Sequence, residues 1–531
     1  MPHSVRYRRR ILCVFPAYSP SFGTFENAYP LKGRGVRAFM PPQGILTVAA
    51  YLPADWEVRF VDENIRPATR RDFMWADAVF VSGMHIQRRQ ILDINRRAQR
   101  CGRTTVLGGP SVSAEPDAYG AFDYLHLGEL GDGTDRLIAT LDADPAPPPV
   151  QLRFATAERL PLDRFPVPAY RLIDLNRYFI ANVQFSSGCP YRCEFCDIPA
   201  LYGRNPRLKS PGQVLSELDE IVERGNPGAV YFVDDNFVGN RKAARELLPH
   251  LVDWQKRRGY PVEFACEATL NLAQQSDLLA LMREAYFTTV FCGIETPELD
   301  ALQAMRKGHN ATQPILEAVA ALNGYGLEVV SGIILGLDTD TPQTADRIIE
   351  FIGRSQIPML TINLLQALPK TPLWDRLQAE GRLTGGAGRE SNIVFRLPYE
   401  DVVAMWRRCI AAAYEPEALF ARFAHNLRHT YPNRITPPAS PARANWTNIR
   451  KALRMVCSIV LRAGIGGGYR ATFWRHCGPL LRAGRIEEAI HIGLIAHHLI
   501  TFSREALAGR HNASFYAPSA RQRARRAVFS H

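Results

Sequence analysis

The chain of 531 residues is 46% hydrophobic and 22% charged, the balance of an ordinary soluble globular protein with room for roughly two to four domains. No uninterrupted apolar run reaches bilayer-spanning length, and the basic start MPHSVRYRRR lacks the apolar run and cleavage site of a signal peptide. Ten cysteines without a secretory signal argue against a disulfide framework and for a reducing, cytoplasmic setting. The net charge of +12 is crowded toward both ends, in Arg6 to Arg10 and Arg521 to Arg526. Such charge matches anionic lipid head groups or nucleic acid, but reads first as solvated tails.

In chain order, ILCVFPAY reads as a buried strand, PPQGILTVAAYLP as a helix, and VRFVDEN, ADAVFVSGMH, TTVLGGPSV and YLHLGEL as further strands before the helical DRLIATL. Short apolar strands alternating with helices predict a parallel, doubly wound sheet over residues 1–141. Ligands of such sheets bind at strand carboxyl ends, which here carry Ser82-Gly83, Gly108-Gly109 and Gly128-Glu129. Glycines there let a large ligand approach the backbone, although turn chemistry alone also accounts for them. The proline-rich ADPAPPPV reads as a stiff spacer, opening a linker and connecting segment over 142–177.

A second strand–helix series follows over 178–385. NVQFSS, AVYFVDDNF, VEFACEATL, TTVFCGIET, EVVSGIILGL and MLTINLLQAL read as six strands separated by helices, without antiparallel hairpins. This predicts a partial (β/α)6 barrel, open rather than closed at eight. From 386 to 531 the pattern is helical, in EDVVAMWRRCIAAAY, NIRKALRMVCSIVLRAG, ATFWRHCGPLLRAG and IEEAIHIGLIAHHLITFSREAL. The last stretch carries His491, His497 and His498, which read as packing residues rather than a metal site because no matching carboxylate or cysteine set accompanies them. The apolar faces of these helices either pack on the barrel or form an entrance for a lipid.

The chemistry concentrates in FSSGCPYRCEFCDI, where Cys189, Cys193 and Cys196 are spaced Cys-x3-Cys-x2-Cys. A structural zinc site wants four ligands, usually in two pairs, and no second pair occurs. Three thiolates from one loop instead suit three irons of a 4Fe–4S cube, whose ordinary complement is four cysteines. The fourth iron is then open to an outside ligand. The loop follows the first barrel strand, on the face where barrels keep their chemistry.

With Phe195 completing Cys-x3-Cys-x-aromatic-Cys, this region resembles the radical S-adenosylmethionine superfamily. The resemblance implies that the open iron chelates the methionine part of S-adenosylmethionine and that one electron releases a 5′-deoxyadenosyl radical. It further implies that Asp234 and Asp235 contact the methionine amino group, that Glu295 and the weaker candidate Glu267 face the ribose or amino acid, and that Gly332, Ile334 and Gly336 of GIILG pack on adenine. Taken alone, each acidic residue reads equally as a helix cap or ion-pair partner.

VSGMH, LGGPSVSAEP and LHLGELGD make the first domain similar to cobalamin-binding Rossmann domains, with Ser82, Gly83, Gly108, Gly109, Gly128 and Glu129 as the implied contacts. Those domains commonly carry Asp-x-His-x-x-Gly after the first strand. The corresponding FPAYSPSFGTF has neither Asp nor His, so cobalamin is expected base-off with no histidine on cobalt. SPSFGTFENAYPL, FMPPQGILTVAAYLP, FVSGMHIQRRQ, CDIPALYGRNPRLKSP and AHHLITF extend the resemblance to the hopanoid C-2 methyltransferases over nearly the whole chain, with one departure at GLDTDT. That family implies C-2 methylation of an unactivated carbon in ring A of a hopanoid lipid; an external electron donor such as a ferredoxin or flavodoxin is expected, and a lipid substrate is compatible with peripheral contact with the inner membrane. A radical enzyme of another reaction class, such as a cyclase, and a methylase of another substrate remain alternatives. RNA modification ranks last, because the tail is helical and apolar.

Overall fold

The computed structural model of the chain describes residues 8–29, 35–384, 390–438, 440 and 446–510. Arg6, Arg521 to Arg526 and the last two residues of SPSFGTFENAYPL lie outside them. The chain divides into two compact units: the described parts of Met1–Ser19, Met40–Pro190 and Asp197–Pro227 form the first, and those of Pro20–Phe39, Tyr191–Cys196 and Gly228–His531 the second.

The first unit is built on six parallel strands: β1 (Arg9–Phe15), β2 (Trp56–Asp62), β3 (Ala78–Ser82), β4 (Thr104–Gly108), β5 (Tyr124–Leu127) and β6 (Leu152–Ala155). Their order is β2-β1-β3-β4-β5-β6. Leu12, Val14, Val79 and Val81 are buried on one face, and Ile11, Cys13, Phe80 and Val106 on the other. Burial on both faces is why these strands read as continuous apolar runs. The order reverses between β1 and β3, the switch point at which doubly wound sheets hold ligands beyond the strand ends. Gln87, fully buried, spans that point: its amide donates to the Pro16 carbonyl at 2.5 Å and its carbonyl accepts from the Met84 amide at 3.0 Å.

Two features depart from the sequence reading. β6 lies in the segment read as linker and pairs in parallel with β5, so the prolines form the crossover from the helix Asp132–Ala143 to a sixth strand. As an edge strand with mostly exposed residues, it has no apolar run to betray it. The strand expected at NVQFSS is also shorter: β7 is Ala181–Val183, and the two residues of β8 (Ser186–Ser187) pair antiparallel with β9 (Arg207–Leu208). This ribbon closes the base of the cysteine loop. It demands close backbone approach, and Gly188 provides it with φ +99°; a Cβ there would lie 2.8 Å from the Gly203 carbonyl oxygen. The helix Pro211–Arg224, opened by a Ser210–Gln213 capping box, follows; its buried Glu217 is ion-paired with the equally buried Lys209.

In the second unit, β10 (Ala229–Phe232), β11 (Glu263–Glu267), β12 (Phe287–Glu295), β13 (Glu328–Leu335) and β14 (Met359–Leu364) lie side by side in sequence order, all parallel. The helices Arg241–Arg258, Ser276–Glu284, Ile315–Gly324 and Thr344–Ser355 connect them. Burial alternates along the strands. On β12, Val290, Cys292 and Ile294 are buried while Phe291 and Gly293 are only half-buried, the period-two pattern of a sheet with one face sealed by helices and one lining a cleft. Phe232, Phe264, Phe287 and Trp254 form the aromatic centre of the sealed side.

The four helical stretches expected after residue 386 are helices, and Pro416–His429 is a further one. Pro20–Phe39, the chain that leaves β1, belongs to this unit. Phe22 stacks on Tyr414 at 5.0 Å and meets Phe502 edge-on at 4.5 Å, and Arg462 donates to the carbonyls of Asn27 and Tyr29. The three histidines of the last helix are separately engaged, His491 with Glu328, His497 with Tyr469 and His498 with the Phe22 carbonyl. Among the described residues no helix is long and apolar enough to cross a membrane.

Glu328 ties the sheet to these helices. Its carboxylate accepts from Tyr431 at 2.6 Å and Asn426 at 3.1 Å and pairs with His491 at 2.8 Å. Burial by itself would raise this carboxyl, but His491, Arg434 and the Tyr431 hydroxyl together bring it from its ordinary 4.5 down to about 2. A depressed carboxyl stabilises the fold above its unfolded value and loses that contribution as pH falls through its folded one. Thermal melts between about pH 5 and pH 2 are expected to show a loss on the order of 3 kcal/mol from this group. E328Q should flatten the slope over that window; equal slopes in both proteins would count against the assignment.

Candidate active site

The tip of the cysteine loop is pinned within the second unit. The Glu194 amide donates to the Met305 carbonyl at 2.9 Å, and the Glu194 carbonyl accepts from Leu373 at 2.9 Å. Its carboxylate takes a two-point grip from Arg376, at 2.7 and 3.2 Å, and Arg376 also reaches Asp338. Cys196 closes a turn onto the Cys193 carbonyl at 3.2 Å, while at the other end the Cys189 amide donates to the Gly203 carbonyl at 3.2 Å. The loop is therefore held at base and tip by contacts that do not use the thiols.

None of the ten cysteines forms a disulfide. Cys189, Cys193 and Cys196 are half-buried. Cys13, Cys292, Cys409 and Cys477 are sealed in the cores, where burial pushes their thiols up to about 12 and leaves them inert. No three histidine, cysteine or carboxylate side chains among the described residues converge on one point as ligands of a single ion would. A cube takes one thiolate per iron, so three thiols from one loop suit three of its irons.

Acidic residues stand at the carboxyl ends of three adjacent strands. Asp234, fully buried, and Asp235, half-buried, follow β10, and Glu267 ends β11. Burial and the nearby Asp235 push the Glu267 carboxyl up to about 7, against a hydrogen bond from Tyr231 at 3.2 Å. Glu295 ends β12 with φ +66°, a left-handed conformation that a non-glycine residue adopts only where its surroundings impose it. The strand register shifts just there, between Gly293 and Glu295, and turns the carboxylate toward Lys307, 2.5 Å away.

Lys307 was invisible as a site residue in the sequence. It is almost wholly buried, and its ammonium lies 5.6 Å from the Phe195 ring centroid, beside the cysteine loop. Burial favours its neutral form, but Glu295, Cys193 and Cys196 outweigh burial and keep it charged. Glu295 also lines a cavity of about 240 Å³ with Phe291, Gly332, Ile334, Thr361 and Asn363. Thr361 and Asn363 were missed, although their i, i+2 spacing in MLTINL is a readable sign of one strand face. Gly332 and Ile334 are thus brought to Glu295. Gly336 is not among the lining residues: it sits at φ +92° with the Phe395 ring against its α-carbon, where a Cβ would lie 2.5 Å from a ring carbon. The GLDTDT turn after it is held by Asp340, which accepts from the amides of Gly336 at 2.7 Å and Leu337 at 3.1 Å. A carboxylate at one end, hydroxyl and amide groups on one wall and bare glycine backbone at Gly332 suit a molecule with an amino acid, a sugar and a flat base.

In the first unit the expected contacts gather at one sheet edge. Ser82 is in register with Gly108 on neighbouring strands. Gly109 has φ +95°, and a Cβ there would lie 2.6 Å from the Ser82 hydroxyl; Gly108 has nothing closer than 3.9 Å. The Gly128 amide donates to the Ser113 hydroxyl at 2.9 Å. Gly83 lies under Gln87 and Ile91, and Glu129 is committed to Arg207, Arg159 and Ser187, clamping the ribbon below the cysteine loop. Of these glycines Gly108, at the end of β4, leaves its backbone open, as a large flat ligand needs, while Gly83, Gly109 and Gly128 are packed against their own neighbours. His126 at this edge is held neutral by burial, at about 4, with Nε2 bonded to Thr134 at 2.9 Å.

A switch-point sheet followed by a parallel half-barrel with a three-cysteine loop defines the class of radical S-adenosylmethionine enzymes with an N-terminal cobalamin-type domain. The radical SAM superfamily profile matches residues 183–352, and a domain of unknown function, DUF4070, matches 371–512. The chain is 58% identical over 516 residues, covering 97% of it and 98% of the other protein, to the hopanoid C-2 methylase of Rhodopseudomonas palustris (strain TIE-1), and belongs to that family. It is also 34% identical to an uncharacterized methyltransferase of Synechocystis sp., covering 92% of this chain and 90% of that one. Among solved structures, the cobalamin-dependent S-adenosylmethionine radical enzyme OxsB, with aqua-cobalamin and S-adenosylmethionine bound, aligns over 98% of this chain and 83% of its own at a TM-score of 0.60 and 14% identity. The radical S-adenosylmethionine methyltransferase TsrM from Kitasatospora setae aligns over 70% of this chain and 76% of its own, at 0.54 and 16%. At those identities the two structures speak to the fold alone.

Proposed function

We propose that this chain is a hopanoid C-2 methylase, a cobalamin-dependent radical enzyme that methylates an unactivated ring carbon of a hopanoid lipid. The observation that carries the reading is the 58% identity to the R. palustris enzyme across both units and the helical tail. Cys189, Cys193 and Cys196 would hold a 4Fe–4S cluster. Glu295, Gly332, Ile334, Thr361 and Asn363 would hold S-adenosylmethionine, with Asp234, Asp235 and Glu267 toward its amino group. The ends of β3, β4 and β5 would take cobalamin without a histidine on cobalt. When bound, these groups supply one-electron chemistry and a transferable methyl, which a saturated ring needs because it offers no acidic proton and no nucleophile. Reducing equivalents would come from a ferredoxin or flavodoxin.

The residues of the chain itself position and shield. Glu194 and Arg376 fix the tip of the cysteine loop, and Lys307 balances the negative charge of the loop and of Glu295. Protein reconstituted anaerobically with iron, sulfide and cobalamin, then supplied with methyl-labelled S-adenosylmethionine, a reductant and hopanoid, is expected to yield 5′-deoxyadenosine and labelled 2-methylhopanoid together. Formation of 5′-deoxyadenosine with no label in the lipid would overturn the methylase reading.

A further inference from the structure

Between Glu417 and Glu487 the sequence contains no acidic residue, while twelve arginines and lysines occur there. Within the same stretch lie Trp446, Ile449, Leu453, Leu461, Ile465 and Trp474, exposed by 69, 46, 57, 49, 62 and 42%. These six are half of all the large exposed apolar side chains among the described residues. Scattered exposed apolar residues need no explanation, but concentration in one short stretch marks an interaction surface.

The geometry is that of a helix made to lie on an interface. Trp446, Ile449 and Leu453 follow one another at i, i+3 and i+7 along the helix Trp446–Ile459, so they share a face. Arg450 and Arg454, both exposed, flank that row one step round the helix. The opposite side is anchored: Ser458 and Ile459 are buried, and Gly493 of the helix Ile486–Leu507 leaves room for Ile459, a Cβ there falling 3.0 Å from its Cδ1. The π-helical turn Val460–Ile465 then carries Leu461 and Ile465 outward. Trp474 is held against this turn, its indole N–H donating to the Gly464 carbonyl at 2.9 Å; a Cβ on Gly464 would lie 2.9 Å from the indole ring. The apolar residues are therefore presented by a fixed scaffold.

We propose that this surface docks the enzyme on a bilayer containing anionic lipids, with the Trp446–Leu453 row and Trp474 entering the head-group boundary and Arg450, Arg454 and Arg470 over the lipid phosphates; Arg475 is engaged with Glu417 at 2.8 Å. Apolar side chains with tryptophan, interleaved with arginine and free of acid, match both halves of such an interface. A second copy of the chain is a poor occupant, since it would bring the same excess of positive charge to the contact. The proposal goes beyond the substrate reading, and its test uses no hopanoid, so the two stand or fall separately.

The full-length protein is to be co-sedimented with vesicles of phosphatidylcholine, with and without phosphatidylglycerol. Binding is expected with the anionic vesicles, weakening steeply with salt, and W446S/L453S should reduce it by at least about tenfold, two buried apolar side chains being worth that much or more. The variant should keep the melting temperature and the iron content of the parent. Absence of binding, binding unchanged in W446S/L453S, or a dimer in solution that the same variant dissolves would each overturn the proposal.

Discussion

Replacement of Cys193 by alanine is expected to abolish turnover, by more than about 10³-fold, while leaving the protein folded. The reaction has no alternative route once one-electron chemistry is lost, because the carbon to be methylated presents nothing for acid–base catalysis to act on. The fold should survive because the loop is held at several points by its backbone and by Glu194. Glu194 carries the tip through Met305, Leu373 and Arg376, and the Ser186–Leu208 and Ser187–Arg207 pairs carry the base. C189A and C196A should behave alike. C101A and C457A, whose thiols are neither in the motif nor sealed in a core, should keep the parent's iron content. Iron analysis and electron paramagnetic resonance of the reduced proteins check this. A C193A protein with full iron and activity would remove the motif from the mechanism.

The second large effect is expected at Glu295. E295Q preserves shape but leaves Lys307 charged and about nine-tenths buried without its carboxylate. Removing one partner of a buried pair costs about 3–5 kcal/mol, so the melting temperature should fall clearly. With Glu295 in its proposed role as a ligand of S-adenosylmethionine, loss of its charge-assisted hydrogen bond should weaken binding by roughly ten- to a hundredfold. E295Q/K307M separates the two effects. Removing both charges should recover most of the stability, whereas ligand affinity, read by calorimetry or by the KM for S-adenosylmethionine, should stay low. Recovery of affinity in the double variant would make Glu295 only a partner for Lys307.

The cysteine motif was fully legible because its chemistry is local: the loop needs three thiols at fixed spacing, and a short string of residues records that. The parallel strands of the first unit were legible for a related reason, since burial on both faces makes a strand apolar and easy to see, as in residues 11–15 of the first strand. Elements without such burial were not. Leu152–Ala155, an exposed edge, hid in a proline-rich stretch, and the ribbon Ser186–Ser187 with Arg207–Leu208 joins two-residue strands about twenty positions apart, too short to show a period. The chain after β1 was expected to stay with its sheet, yet Phe22, Asn27 and Tyr29 find their partners more than 380 residues later, in Tyr414, Arg462, His498 and Phe502.

By itself, then, the sequence determined the three cysteines, the two parallel α/β regions, the acidic strand ends and the missing histidine after the first strand, because spacing and periodicity along the chain carry them. Only the tertiary structure decided that Lys307 faces Glu295 and the cysteine loop, that Arg376 grips Glu194, that Gly336 is covered by Phe395 while Gly332 opens on the cavity, and that Glu129 is bound by Arg207 and Arg159. These are pairings of charges and surfaces brought from distant positions. A lone lysine or arginine carries no periodic signal, and its role is set by which opposite charge the fold buries beside it.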